Sequence, residues 1–163
     1  QVNEDGEYQV KVEKSYTGEI GEVLDGFNMF NTLQQALDFY SRSDIDSLTR
    51  KNIILGEGTF TEKVEITIPY LTIKGAGALN TMIEWDSLYG ILDEDGFTHT
   101  TDSTQTVAVR ESAVNLIIED LTISNYFNSL AAFDEKMGKN YGEHRALALL
   151  VQSDKFIMKN AIF

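Results

Sequence analysis

Apolar residues along most of the chain fall in short runs rather than in long helical patterns. From residue 52 onward, β-branched and aliphatic residues form segments that are mostly five residues long or shorter, broken by Gly, Asn and Asp. Segments of this kind favour β-strands bounded by turns. The predicted strands are 52–55, 64–68, 71–73, 81–85, 106–109, 115–118, 121–123, 146–151 and 156–163.

The connections between these strands exclude most ways of building a sheet. Only two residues separate Ile118 from Leu121, which leaves no room for a hairpin loop or for a crossover helix. A chain that coils in one direction meets this constraint. A β-sandwich with similarly spaced strands stays open as an alternative on the pattern alone.

A weak internal repeat supports the coil. A shift of 40 positions superposes residues 107–109 on 147–149, 116–118 on 156–158, and 120–121 on 160–161. Each copy then forms one coil of a solenoid, and the polar stretch 126–145 is a loop between coils.

One segment has a helical period instead. Asn31 is the predicted N-cap, with Gln34 as its capping-box partner, and the predicted helix spans residues 32–40. Its apolar positions fall at i, i+3, i+4 and i+7, namely Leu33, Ala36, Leu37 and Tyr40. A solenoid leaves unpaired backbone at its first coil, so we expect this helix to cap the N-terminal end.

The sequence predicts that the chain has two parts. Residues 1–24 form an N-terminal segment with a possible edge strand at 8–12 and no assigned role, and residues 25–163 form the coils.

Composition excludes several classes of protein. With 26 acidic and 13 basic residues the formal net charge is −13, and this field repels nucleic acid. The absence of cysteine excludes disulfides and thiolate metal sites. The longest apolar stretch, 146–151, is far shorter than the roughly 20 residues of a membrane helix. The chain begins at Gln1, which fits a processed, secreted protein.

Six motifs occur in order between residues 25 and 163. They read DGFNMFNTLQQAL from 25, IILGEGTFTEKV from 53, LTIKGAG from 71 with TMI from 81, STQTVAV from 103, LTISN from 121, and RALAL from 145. Together they resemble the pectinesterase family (carbohydrate esterase family 8), with its D-G-x-x-x-F-x-T-I-Q-x-A, I-x-I-x-x-G-x-Y-x-E-x-V, I-T-L-x-G-x-G, S-A-T-V-A-V, I-T-F-x-N and Q-A-V-A-L motifs. At the strand ends, tight corners that need a positive φ account for four glycines, Gly56, Gly58, Gly75 and Gly77.

The resemblance implies an all-β fold, a right-handed parallel β-helix of the pectin-lyase-like type with a short N-terminal capping helix. It also implies hydrolysis of the methyl esters of polygalacturonate by two aspartates, one a nucleophile and one a general acid/base, with a glutamine that stabilises the oxyanion. The family carries these aspartates in Q-D-T/S-L and D-F-I-F-G motifs. Neither motif occurs here, so no catalytic residue is assigned and the chain alone is expected to be inactive.

Two substrate-binding positions carry over by motif. Thr106 matches the threonine of S-A-T-V-A-V, and Arg145 stands where the family has the glutamine of Q-A-V-A-L. Arginine at this position favours a carboxylate on the substrate over a neutral ester, unless Arg145 is a solvated charge at the end of a loop.

The other candidate residues have structural interpretations. The acidic turn 93–96 lacks the spacing of a calcium loop, and His99 and His144 lie far apart in sequence, so neither metal nor cofactor is predicted. Asp154 is expected to cap a corner. Three aromatic residues are expected to fill the core or corners rather than stack on sugars, namely Trp85, Phe97 and Tyr126.

Three functional hypotheses follow. The first is a pectinesterase whose partner is pectin or a related acidic polysaccharide, although the net charge of −13 disfavours fully de-esterified polygalacturonate. The second is a non-catalytic β-helix that binds polysaccharide or serves as a scaffold, and the third is a different pectin-degrading β-helix enzyme. In all three, an unpaired edge at the C-terminal coil predicts association through that edge.

Overall fold

The computed structural model describes residues 2–87, 103–126 and 146–163. Within these ranges the chain has one helix, α1 (Leu33–Tyr40), and thirteen strands. The strands are β1 (Tyr8–Val12), β2 (Val23–Leu24), β3 (Phe27–Phe30), β4 (Lys51–Leu55), β5 (Gly58–Thr61), β6 (Val64–Ile66), β7 (Leu71–Lys74), β8 (Thr81–Trp85), β9 (Val107–Val109), β10 (Ile117–Glu119), β11 (Thr122–Asn125), β12 (Leu149–Val151) and β13 (Ile157–Lys159).

The strands stack into three sheets that wrap one interior. Sheet A has the order β13-β10-β7-β4-β1-β3-β2, sheet B the order β11-β8-β5, and sheet C the order β12-β9-β6. From β4 onward, successive strands pass from sheet A to B to C and back to A. Their pairings are parallel. The predicted parallel β-helix is therefore confirmed, and the sandwich alternative is wrong.

Alternation along each strand builds the core. In β4, Ile53 and Leu55 are buried, and residues between them point outward because successive side chains of a strand face opposite sides. Val107 and Val109 on β9 are buried in sheet C, and Ala108 between them is itself only 1% exposed. Apolar side chains from all three sheets thus form one column that fills the interior of the coil.

The 40-residue repeat holds in two sheets and fails in the third. Ile117 pairs with Ile157 in sheet A, and Thr122 forms a bridge with Ile162, both at a separation of 40. In sheet C, however, Val107 pairs with Leu149, a separation of 42. A shift of two residues keeps the same faces inward, so the apolar pattern alone could not distinguish the two registers.

The prediction of a positive φ is right for two of the four glycines. Gly58 and Gly77 have φ of 125° and 135°, which confirms the prediction for these two. Gly56 and Gly75 have no such φ, and at Gly75 a Cβ would lie 2.3 Å from Asp120 O. Close approach of another coil, rather than a left-handed backbone, explains the glycine there.

Helix α1 begins one residue later than predicted. Its N-cap is Thr32, whose Oγ1 accepts from Gln35 N–H at 3.2 Å, while the Gln35 side chain accepts from Thr32 N–H. The four apolar residues of the predicted stripe are all buried. The helix packs on β1, β3, β4 and β6, the first strands of sheets A and C, as expected of an N-terminal cap.

The N-terminal segment has a structural role that the sequence did not reveal. The sequence predicted β1 as a possible edge strand, and this prediction is wrong. The strand lies between β3 and β4 and is parallel to both. Its Val10 and Val12 are fully buried. The edge is instead the two-residue β2, which is antiparallel to β3. Strands β1 and β2 therefore extend sheet A beyond the first complete coil.

Candidate functional site

Sheet C brings together the two stretches that carry the predicted substrate-binding positions. The STQTVAV stretch forms β9, the RALAL stretch leads into β12, and the two strands are neighbours. Thr106 N–H donates to Leu147 O at 3.2 Å. Arg145 itself lies outside the described residues.

Thr106 is held inside the coil. It is fully buried, and its Oγ1 donates to Ser124 O, the carbonyl of a residue in β11, at 2.8 Å. The hydroxyl thus ties sheet B to sheet C at the point where β9 begins. A direct contact of Thr106 with substrate stays a prediction.

Asn125 organises the same corner, and sequence reasoning missed it. Its Nδ2 donates to Ser87 O and Thr104 O at 2.9 Å and to Leu147 O at 3.1 Å. The Thr104 hydroxyl in turn accepts from Leu147 N–H at 3.4 Å. The only signal in the sequence was an asparagine at the end of the LTISN motif, and one side chain here fixes the backbone of two coils.

Gln105 stands beside Thr106 with a buried amide. The residue is 4% exposed, and its Oε1 has no hydrogen-bond partner among the residues that the structure describes. Buried side-chain acceptors are normally paired. This position departs from the family motif, which has alanine there.

The outer face of sheet C carries charge next to this corner. Glu65, Ala108 and Leu150 stand in register on its three strands. Arg110 follows β9 directly, and its guanidinium donates to Glu65 Oε2 and to Gln152 Oε1, both at 3.0 Å. The bond from Arg110 lowers the pKa of the Glu65 carboxyl below its ordinary value.

A second cation lies at the other end of this face. Lys63 directly precedes β6, and its Nζ donates to Ser103 O. Burial lowers the pKa of Lys63 from its ordinary value. Sheet C thus has a basic residue at each end of its outer face, although the whole chain has a net charge of −13.

The remaining candidates have the following positions. Asp154 is exposed, and its backbone carbonyl, rather than a side-chain cap, accepts from Asn115 N–H at 3.3 Å. Trp85 is half-buried, whereas Tyr126 is 48% exposed and therefore lies outside the core. Outside the described residues lie the acidic turn 93–96, Phe97, His99 and His144.

The described ranges contain no cluster of His, Asp or Glu that could hold a metal ion, and no helix in them is long and apolar enough to cross a membrane.

A cavity of about 580 Å³ opens where α1 ends, between the loop after the helix and the residues that follow β6. The buried Lys51 lies at its base, and its Nζ donates to Ser47 O at 3.0 Å, Thr49 O at 2.8 Å and Pro69 O at 3.4 Å. An ammonium group has three N–H donors. All three are used in tying the loop after α1 to the coil.

Comparisons with known proteins agree with this geometry. The chain is 27% identical over 132 residues to a probable pectinesterase of Arabidopsis thaliana, a match that covers 80% of this chain and 34% of that protein. No family model matches the chain.

Two solved structures are similar in fold. A pectin methylesterase mutant in complex with a hexasaccharide has a TM-score of 0.72 at 24% identity, over 94% of this chain and 42% of that one. Pectin methylesterase from Yersinia enterocolitica has a TM-score of 0.64 at 29% identity, over 80% of this chain and 40% of that one. The chain thus spans between a third and a half of the length of the proteins it matches. Over most of its own length it is similar to pectinesterases in sequence and has the parallel β-helix fold of pectin methylesterases.

Proposed function

We propose that this chain is part of a protein that hydrolyses the methyl esters of polygalacturonate, and that the outer face of sheet C is where the polysaccharide binds. The reaction takes up water and releases methanol, a galacturonate carboxylate and a proton. Both catalytic aspartates would come from the Q-D-T/S-L and D-F-I-F-G motifs, which this chain lacks. Thr106 and Arg145 are the proposed substrate-binding residues.

One observation carries the proposal. The two motif stretches with these positions begin at residues 103 and 145, yet they lie side by side in sheet C, joined by the hydrogen bond from Thr106 N–H to Leu147 O. A solved pectin methylesterase of the same fold was crystallised with a hexasaccharide, which supports an oligosaccharide as the ligand of such a coil.

Methanol release tests the proposal. The assay compares methyl-esterified polygalacturonate with this chain alone and with a natural protein that contains both this chain and the two aspartate motifs. We expect methanol from the longer protein only, without the absorbance of an unsaturated product that a lyase would generate. An intact longer protein that releases no methanol would contradict the proposal.

We also propose an extracellular location, because a polysaccharide of this class is too large to be reached from inside a cell. Detection of the protein in the culture medium, with a cytoplasmic marker retained in the cells, is the expected result. A protein found solely with the marker would overturn it.

We further propose that the last coil, when this chain is studied on its own, associates with the β-edge of another chain. Val151 is 38% exposed although its partner Val109 on the preceding coil is fully buried, and Phe163 is 79% exposed. Unpaired strands with apolar side chains favour pairing with another chain. Light scattering should show self-association that rises with concentration and weakens in Phe163→Asp, whereas a strict monomer at all concentrations would contradict this view.

A further inference from the structure

Three polar side chains form a row across the outer face of sheet C, one from each coil. The row consists of Glu65, Arg110 and Gln152, and Arg110 is at its centre with a hydrogen bond to each neighbour. Because two N–H groups of the guanidinium are held by partners on either side, its plane is fixed. The row is partly exposed, with 31% of the Arg110 side chain and 56% of the Glu65 side chain accessible.

The row lies on the proposed binding face. Residues 108 and 110 are two apart and therefore point to the same, outward side of β9. Ala108 is 1% exposed and Thr106 is fully buried, so this face becomes accessible at Arg110, directly after the strand. A polysaccharide on the accessible part of this face would thus meet Arg110, between Glu65 and Gln152.

Charge decides which polysaccharide the row can recognise. An acidic chain with a net charge of −13 repels a polyuronate, so binding requires a local cation. Arginine is suited to this task because its planar fork of donors matches the two oxygens of a carboxylate. Glu65 already offers Arg110 such a carboxylate from within the protein.

We propose that Arg110 recognises the carboxylate of an unesterified uronate on the outer face of sheet C, and that Glu65 competes with this carboxylate for the guanidinium. The inference rests on the proposed function and makes it more specific. The preferred ligand is a pectin segment with free acid groups, and a fully esterified segment has nothing for Arg110 to bind.

Competition separates this role from a purely structural ion pair. If the Glu65–Arg110 pair only stabilised the fold, removal of either partner would change ligand binding in the same direction. If Arg110 binds ligand and Glu65 competes, Arg110→Gln weakens binding to the acid polymer and Glu65→Gln strengthens it.

The experiment is a calorimetric titration of this chain and its variants with de-esterified polygalacturonate and, separately, with fully methyl-esterified pectin. We expect Arg110→Gln to weaken binding of the acid polymer about tenfold, the scale of one charge-assisted hydrogen bond. Glu65→Gln should tighten it by a smaller factor, and neither change should alter binding of the esterified polymer. High salt should reduce the differences.

Matched controls come from sheet A, where Lys74 Nζ and Glu119 Oε1 form a cross-coil ion pair at 3.3 Å. Lys74→Gln and Glu119→Gln change the net charge by the same amounts on a different face. Equal effects of Lys74→Gln and Arg110→Gln, or the same direction of change for Arg110→Gln and Glu65→Gln, would overturn the inference.

The two proposals fail in distinguishable ways. Wild-type binding with unchanged affinity in Arg110→Gln overturns the role of Arg110 alone. Absence of binding by the wild-type chain to either polymer overturns both the role of Arg110 and the binding face on which it depends.

Discussion

At the scale of single residues, Gly75 shows how little space separates neighbouring coils. A Cβ at this position would lie 2.3 Å from Asp120 O and 2.9 Å from the Cβ atoms of Leu121 and Thr81. None of these atoms is the end of a flexible side chain, so none can move aside without shifting the backbone. The crowding acts between residues that are more than 40 positions apart in the chain, since Gly75 meets Asp120.

We therefore expect Gly75→Ala to lower the free energy of unfolding by about 1–3 kcal/mol, the usual cost of overpacking. Gly56→Ala is the matched control, because a Cβ there meets only the flexible carboxylate end of Glu13. Urea unfolding of both variants measures the difference. Equal losses of stability in the two variants would show that contact with the next coil is not the reason for glycine at position 75.

Lys51 predicts a specific pH dependence. Burial lowers its pKa from the ordinary value of 10.5, so between the two pKa values the unfolded state binds more protons than the folded state. The contribution of Lys51 to the free energy of unfolding therefore increases with pH in that window and is constant below it. Unfolding of the wild type and of Lys51→Met over a pH series should show a difference that grows toward pH 10.5, and a constant difference would contradict the assignment.

Sequence patterns could not settle several features at this scale. Asn31 and Thr32 are both good N-caps, and Gln34 and Gln35 are both suitable partners, so only the surrounding structure decides between them. The burial of Thr106 likewise depends on Ser124, which belongs to another coil.

At the scale of elements, the start of α1 depends on one carboxylate from outside the helix. Glu62 accepts from Leu33 N–H and Gln34 N–H, both at 2.9 Å. With the bond from Gln35 N–H to Thr32, the first three N–H groups of the helix all have side-chain acceptors. Glu62 thus joins the cap of the coil to the connection between β5 and β6.

Replacement of this carboxylate should loosen the helix. We expect Glu62→Gln to lower the free energy of unfolding by about 1 kcal/mol, because a negative acceptor at a helix N-terminus is replaced by a neutral amide. The exposed Glu57 in the preceding connection provides the control variant Glu57→Gln. Thermal unfolding measures both, and a variant at position 62 as stable as that control would rule out a capping role.

The inserted strand β1 supports a second prediction for elements. Val10 is fully buried between β3 and β4, and burial of an unpaired charge is among the most costly substitutions. Val10→Asp should leave the chain largely unfolded by circular dichroism, whereas Val2→Asp, at a position that is 47% exposed, should fold normally. A folded Val10→Asp would mean that β1 is dispensable.

Elements with strict alternation, such as β4 and β8, were predictable because their pattern is local. The position of β1 was not, since the choice of neighbours in a sheet depends on pairing between residues far apart in sequence. The strand β3 was also missed, because its residues Phe27–Phe30 lie in the DGFNMFNTLQQAL motif, which was used only for the family resemblance.

At the scale of the whole molecule, the coil follows from short strands and short connections, and both are visible in the sequence. The 40-residue period predicted the stacking of β10 on β13 correctly. It failed for β9 and β12, where the separation is 42, because two extra residues between coils leave the alternation of apolar and polar positions unchanged. The candidate face of sheet C could be predicted only for the residues that belong to family motifs. The row centred on Arg110 lies outside those motifs.

The insertion of β1 between β3 and β4 also bears on the order in which the sheet can assemble. During synthesis β1 leaves the ribosome before either neighbour, so β3 and then β4 can each add to a strand that is already available. A circular permutant that moved residues 2–14 to the other end of the chain would have to thread β1 into a slot between two finished strands. Apart from β2, which pairs with β3, each later strand of sheet A can therefore add to a strand that precedes it in the chain.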